Sequence, residues 1–338
     1  MSTLKVIATP ILSLSPHPNA DRLELAQVLG WQCVVPRDRY VPGEVVIYIP
    51  VDGVLPEALS DKLGVTKYLS RGRVRAAQLR GVVSYGLVMP NEEGFEAGQD
   101  VTAHFGIEKF EPPITLSGGE VEAPHPLLTH YTDIENIKNY NDLMEPGEEV
   151  VATEKVHGTN CVHALIIEED GREVFMASSH RHRRREDPES TYWRTFDDRT
   201  KALLREAVVG HRAALLFKEV YGGKIQNLNY GLENQVADVA FDLQIEGRYM
   251  DYDDFVALCG RHGVPVAPVL YRGPFDRGAL DAIVNGPGVS TQVGQRHHIM
   301  EGVVIKPVRE RWNPVTGRTI LKWISDAYAL DKNATDFH

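Results

Sequence analysis

Three cysteines in 338 residues, Cys33, Cys161 and Cys259, are too few and too widely spaced for a disulfide framework or a paired-cysteine metal knuckle. A reducing, cytoplasmic setting is the expectation. No apolar run approaches the ~20 residues that a membrane-spanning helix requires, so no membrane partner is expected. The opening Met-Ser-Thr-Leu-Lys has no apolar signal core. Positive charge is also in deficit, with 36 Lys and Arg against 47 Asp and Glu and a net charge of −11. That balance by itself argues against a nucleic-acid partner, but local charge matters more than the total.

Two local stretches reverse the sign. From Lys62 to Arg80 the basic residues are Lys62, Lys67, Arg71, Arg73, Arg75 and Arg80, with no acid among them. From His180 to Arg185 the chain reads His-Arg-His-Arg-Arg-Arg. Each stretch alone reads as solvated surface. Two in one acidic chain point to phosphate contacts, with Lys67, Arg71, Arg73, Arg75 and Arg80 as the nucleic-acid candidates.

The length predicts two domains. Residues 1–110 carry short β-rich runs broken by Gly, Pro and Asp, the pattern of a small barrel. Residues 111–126 hold four of the chain's prolines and Gly118-Gly119, and read as a linker. Residues 127–338 mix strands with helices, the clearest helices being 197–208 and 253–262. The fold class expected is α+β.

The chemistry concentrates in a few runs. In Thr153-Glu154-Lys155-Val156-His157-Gly158-Thr159-Asn160 a lysine ends a strand and a glycine follows that permits close approach to a phosphate. A lysine at pKa ~10.4 becomes a nucleophile only where burial or neighbouring cations favour its neutral form. Phe217-Lys218-Glu219-Val220-Tyr221-Gly222-Gly223 sets an acid among apolar residues, suited to a ribose hydroxyl or a metal-bound water. Ala240-Phe241-Asp242-Leu243 offers an aromatic face for a purine. Glu301-Gly302-Val303-Val304-Ile305-Lys306 brackets an alternating strand with opposite charges, and Ile320-Leu321-Lys322-Trp323-Ile324 adds a cation. A triphosphate calls for such cations and for a hard metal ion held by carboxylates and waters. Gly222-Gly223-Lys224 is no P-loop. His180/His182 and His297/His298 lack a zinc set. Cys161 reads as a small core residue.

These runs, in this order, resemble motifs I, III, IIIa, IV and V of the ATP-dependent RNA ligases. The His157 form of motif I resembles the phage RNA ligase 2 branch. His17-Pro18-Asn19-Ala20-Asp21-Arg22-Leu23-Glu24 and Leu79-Arg80-Gly81-Val82-Val83-Ser84-Tyr85-Gly86 resemble the tRNA-binding type of OB (oligonucleotide/oligosaccharide-binding) barrel. A barrel placed before the nucleotidyltransferase domain resembles RNA ligase family 5, whereas DNA ligases and capping enzymes place theirs after motif V.

The resemblance implies an OB barrel followed by a covalent nucleotidyltransferase (ATP-grasp-like ligase) domain of mixed antiparallel sheets and helices. It implies ATP and Mg²⁺ or Mn²⁺ as cofactors, and a nicked RNA or RNA/DNA duplex as substrate for a monomeric enzyme. Lys155 would attack the α-phosphorus, AMP would pass to a 5′-phosphate, and an RNA 3′-hydroxyl would displace AMP. The nucleotide contacts implied are Glu154, His157, Asn160, Glu219, Phe241, Lys306 and Lys322. Glu301 and Glu219 would serve the metal. The ribose contact of motif Ia falls on His180 or Arg181. The second cation of motif V is missing or supplied by Arg318. A guanylyltransferase, a DNA ligase or an RNA-binding protein with an inactive ligase half are the alternative expectations.

Overall fold

A computed structural model describes residues 4–111, 120–140, 142–294 and 298–331. The chain divides into two compact units. One joins Met1–Pro113 with Ile134–Leu143 and Asp326–His338, and the other joins Ile114–Asp133 with Met144–Ser325.

The first unit is built on a curled antiparallel sheet of five strands. These are β1 (Ile7–Pro16), β2 (Leu23–Val28), β3 (Trp31–Pro36), β4 (Val45–Ile49) and β5 (Leu87–Pro90), in the spatial order β3-β2-β1-β4-β5. A register shift between Ile11 and Ser13 bends β1, so one strand pairs with β4 through its first half and with β2 through its second. The barrel expected from the sequence is therefore present. Val6, Ala8, Ile47, Ile49 and Met89 fill its interior. The run at His17 works as a staple: the His17 ring Nε2 lies 3.0 Å from the Leu79 carbonyl, and Asn19 Nδ2 donates to the Arg80 carbonyl at 2.9 Å. Residues distant in sequence complete the unit. Gly30 N–H donates to the Lys138 carbonyl at 2.8 Å, and Trp31 Nε1 donates to Asn139 Oδ1 at 2.7 Å.

The second unit has two antiparallel sheets. Its strands are β6 (Glu149–Lys155), β7 (Thr159–Ile167), β8 (Glu173–Ser179), β9 (Ala213–Gly222), β10 (Val236–Ile245), β11 (Val269–Pro274), β12 (Gly302–Pro307) and β13 (Leu321–Ile324). One sheet runs β13-β12-β6-β11, and the other runs β8-β7-β9-β10. Helix α1 (Asp198–Ala207) is capped by Asp197, whose carboxylate accepts from Thr200 N–H at 2.9 Å. Its Leu203 and Leu204 pack against Cys161, Leu165, Leu216 and Val220, on the outer side of the second sheet. Helix α2 (Tyr252–His262) adds Phe255 and Leu258 to the same core. A bulge sits in β10 opposite the Phe217–Lys218 step: Lys218 pairs with Ala240 and Phe217 with Asp242, leaving Phe241 as the extra residue.

Candidate active site

Strand alternation decides what β6 presents. Thr153 and Lys155 share one face, and Glu154 takes the other. In register, Lys155 pairs with Gly302, Thr153 with Val304, and Val304 in turn with Lys322. Lys155 and Lys322 thus project from the same face of one sheet. Glu154 is 3 % exposed and accepts hydrogen bonds from the Thr291 hydroxyl and, at 2.7 Å, from Gln292 N–H. Burial pushes its carboxyl above the ordinary value, the charge of Glu301 adds to that, and the two hydrogen bonds oppose it.

After Lys155 the chain crosses to the second sheet through Val156, His157 and Gly158. A Cβ at Gly158 would stand 2.2 Å from the Val220 carbonyl oxygen, so only glycine admits this turn. The turn brings His157 and Lys155 to one carboxylate. Glu301 Oε1 accepts from Lys155 Nζ, and Oε2 lies 3.0 Å from His157 Nδ1. Glu301 is 1 % exposed, while the Lys155 side chain is 19 % exposed and open to an incoming group.

Glu301 precedes β12 and is not bound by its alternation. Its backbone is held instead by Ser325, which donates N–H to the Glu301 carbonyl at 2.9 Å and Oγ–H to the Met300 carbonyl at 2.6 Å. Gly302 lies flush on β13, where a Cβ would meet the Trp323 carbonyl oxygen at 2.1 Å. His157 is fixed further by Asn227 Oδ1, 2.7 Å from its Nε2, and by the Tyr230 hydroxyl, which accepts from its N–H at 2.7 Å. Tyr230 is buried at φ +52°, a strained setting for an aromatic residue.

On the second sheet Asn160 and Glu219 are direct cross-strand partners and share a face. Asn160 Oδ1 is buried and has no hydrogen-bond partner among the described residues. The next pair along the same face includes Phe217 and Asp242. Asp242 is fully buried and takes Lys306 Nζ at 2.8 Å, Arg318 Nη2 at 2.7 Å and the Tyr131 hydroxyl at 2.7 Å. Glu310 completes the network, 3.1 Å from Lys306 Nζ and 2.7 Å from Arg318 Nε. Burial raises the Asp242 carboxyl, but Lys306 and Arg318 outweigh it and hold the group below its ordinary value. Phe241 is half-buried, with its ring edge-on to Tyr131 at 5.0 Å.

The candidates therefore separate. Lys155, His157, Glu301 and Lys322 belong to the first sheet and its turn, with Asn160 and Glu219 on the inner face of the second. Lys306 faces the same way as Lys322, yet its ammonium is committed to Asp242 and Glu310. Arg318 is likewise enclosed in that network at 1 % exposure, so it does not stand in as a second phosphate-facing cation. At the Ser178–Arg185 turn, burial pushes the His180 imidazole down to about 4, with Arg181 and His130 adding to the effect. The surroundings of His180 favour the neutral imidazole. Arg183 and Arg185 pair with Glu122 at 3.0 Å and Glu120 at 2.6 Å. In the barrel unit, Arg73 pairs with Asp52 at 2.7 Å beneath Phe110, and Arg75 donates to the Asp331 carbonyl at 2.8 Å. Both have internal duties, whereas Lys67, Arg71 and Arg80 are exposed.

Cys161 is buried in the core, and burial pushes its thiol up. His297 lies outside the described residues. Among the described residues no group of three His, Cys, Asp or Glu could hold a metal ion unaided, and no helix is long and apolar enough to cross a membrane. Sequence reasoning missed Asn227, Tyr230 and Glu310, and read the Asp242 run for its phenylalanine. The one signal for Asp242 was an acid set between Phe241 and Leu243 within a strand.

A family model described as RNA ligase matches residues 148–324, just over half of the chain. An OB-fold domain model matches residues 5–91. No curated protein matches the sequence. Among solved structures, Naegleria gruberi RNA ligase with PPi is similar at TM-score 0.77 and 23% identity, over 97% of this chain and 98% of that one. A lysine-to-alanine mutant of that ligase, with ATP and Mn, gives TM-score 0.78 at 23% identity, over 96% and 98%. A glutamate-to-alanine mutant with AMP and Mn gives 0.76 at 22%, over 96% and 97%. At these identities the likeness is one of fold, and the family match carries the assignment: the chain belongs to the RNA ligase family and carries an N-terminal OB-fold domain.

Proposed function

We propose that this chain is an ATP-dependent RNA ligase that seals 3′-hydroxyl/5′-phosphate nicks in duplexes whose 3′-hydroxyl strand is RNA. The observation that carries this reading is the convergence of Lys155 and His157 on the buried carboxylate of Glu301. Lys155 Nζ attacks the α-phosphorus of ATP. The ammonium first releases one proton to solvent, the lone pair of the neutral amine forms the Nζ–P bond as the bond from the α-phosphorus to the bridging oxygen breaks, pyrophosphate leaves, and Nζ releases a second proton. Glu301 holds Nζ at the site beforehand, and Lys322 on the same face stabilises charge on the α-phosphate. Glu219 supplies an acceptor for ribose hydroxyls and Phe241 a ring face on which adenine stacks. Transfer of AMP to the 5′-phosphate and its displacement by the 3′-hydroxyl complete the reaction. The open acceptor Asn160 Oδ1 is suited to holding a hydroxyl in those steps.

Among the described residues no group of three His, Cys, Asp or Glu could hold a metal ion, but Glu301 and Glu219 are hard oxygen donors. That set fits Mg²⁺ or Mn²⁺ kept mostly by waters and substrate phosphate. Such an ion, when bound, would neutralise charge on the phosphates. The Naegleria gruberi ligase has been solved with ATP and Mn, which supports the same cofactors here.

The test is incubation with labelled ATP, or labelled GTP, and Mg²⁺, followed by denaturing electrophoresis. A band with ATP supports the ligase reading. A band with GTP alone favours a guanylyltransferase, and no band favours an RNA-binding protein with an inactive ligase half. Four nicked duplexes of mixed sugar type then define the strand requirement.

A further inference from the structure

Thr159 follows the Gly158 turn and projects from the opposite face of β7 to Asn160. Its hydroxyl lies 3.3 Å from the Tyr192 hydroxyl. Both line an open cleft of about 300 Å³, together with Arg194, Lys224, Gln226 and Asn234. None of the lining residues is acidic, in a chain of net charge −11.

The two cations differ from their neighbours. Arg183, Arg185, Arg199 and Arg205 are each ion-paired, to Glu122, Glu120, Asp197 and Glu173. Arg194 and Lys224 are exposed and have no ion-pair partner among the described residues. Lys224 is also held at φ +65°, a backbone region that side-chain-bearing residues rarely occupy. The tight packing behind it, where a Cβ at Gly223 would meet the Glu233 carbonyl oxygen at 2.0 Å, keeps this segment in place.

We propose that this cleft binds the sugar–phosphate backbone of the RNA strand that flanks the nick, a placement that rests on the ligase reading above. Arginine, lysine, hydroxyls and amides are the groups that contact phosphates and ribose. The one aromatic residue of the lining, Tyr192, is buried, so no ring is offered for a base to stack on. Binding here is therefore independent of sequence. The cleft adjoins the turn between β6 and β7, since Thr159 directly follows Gly158 and Gln226 Nε2 donates to the Gly158 carbonyl at 3.4 Å.

The test compares Arg194→Ala/Lys224→Ala with Arg194→Lys/Lys224→Arg, both in the full chain. Binding of a nicked RNA duplex is followed by fluorescence anisotropy from about 50 to about 200 mM salt. The alanine pair is expected to lose about tenfold or more in affinity and to flatten the slope of log K against log salt by about 1.8, roughly 0.9 for each phosphate no longer neutralised. The charge-preserving pair keeps the slope, and labelling by ATP is unchanged in both. Unchanged affinity and slope in the alanine pair overturn the proposal. So does a raised KM for ATP with duplex binding intact, which would make the cleft a free-nucleotide site. A wild-type protein that forms no adduct yet shows the cleft-dependent slope overturns the ligase reading and leaves the cleft standing.

Discussion

Lys155 and Glu301 form an ion pair whose carboxylate is almost fully enclosed while the lysine retains access to solvent. The asymmetry has a chemical consequence. The acid is held rigidly by Ser325 and by His157, and the amine can reach outward without losing its anchor. A nucleophile positioned in this way needs little reorganisation to meet a phosphorus atom.

Lys155→Ala should abolish formation of the labelled protein–AMP adduct. Lys155→Arg should do the same, because a guanidinium stays protonated and cannot attack. Recovery of a labelled band from either variant would remove Lys155 from the reaction.

Glu301→Gln keeps the shape of the side chain and deletes its charge. A loss on the order of 10² or more in the single-turnover rate of adenylylation is expected if the carboxylate acts at the transition state. The measurement is a rate series over Mg²⁺ concentration. A variant with near-normal turnover at low Mg²⁺ would refute the role.

Asn227 tests the scaffold behind the site. Asn227→Ala removes one hydrogen bond from the His157 ring, worth about 1 kcal/mol. The adenylylation rate should fall about five- to tenfold, with little change in thermal stability because Asn227 is exposed. An unaltered rate would show that Glu301 alone orients the histidine.

Asp242→Asn should be destabilising by about 3–5 kcal/mol, since Lys306 and Arg318 would keep buried charges with one partner weakened. The native Asp242 carboxyl is held below its ordinary value by those cations. Its contribution to stability is therefore present above the unfolded-state value of about 3.9 and is lost as the pH falls through the lower folded-state value. Denaturant titrations between neutral pH and about pH 3 should show wild-type stability converging toward that of the variant. Parallel curves would exclude Asp242 as the source of the dependence.

In the barrel unit two kinds of arginine should behave differently. Replacing Lys67, Arg71 and Arg80 by alanine should lower the salt slope of duplex binding by about 0.9 for each phosphate that these side chains neutralise, with the fold intact. Arg73→Ala removes the guanidinium that pairs with the buried Asp52 carboxylate and should lower the melting temperature instead. Equal slopes in the triple variant and wild type would place the nucleic-acid interface elsewhere.

Motif order and local patterning were legible in the chain itself. A lysine at a strand end before glycine, an acid-to-lysine alternating strand downstream and an Asp-capped amphipathic helix at 198 are short-range features with short-range causes. So was the barrel, because turn residues punctuate its strands at close spacing. The roles of single charged residues were less legible. Lys306 and Lys322 look equivalent in sequence, each a lone cation in an apolar strand. Arg73 looks like Arg71, two residues away.

What the sequence by itself determined was the fold class and the order of the runs that match the RNA ligase family. Each follows from periodicity, turn chemistry or the linear order of motifs. Only the tertiary structure decided which charges face which. Lys306 is drawn into a buried network because Asp242 and Glu310, from remote segments, meet it there, while His157 is turned onto Glu301 by Asn227 and Tyr230. The Lys155–Glu301 pair joins residues 146 positions apart. Such partners are selected by sheet register and by the exclusion of water, neither of which is written in any local run of residues.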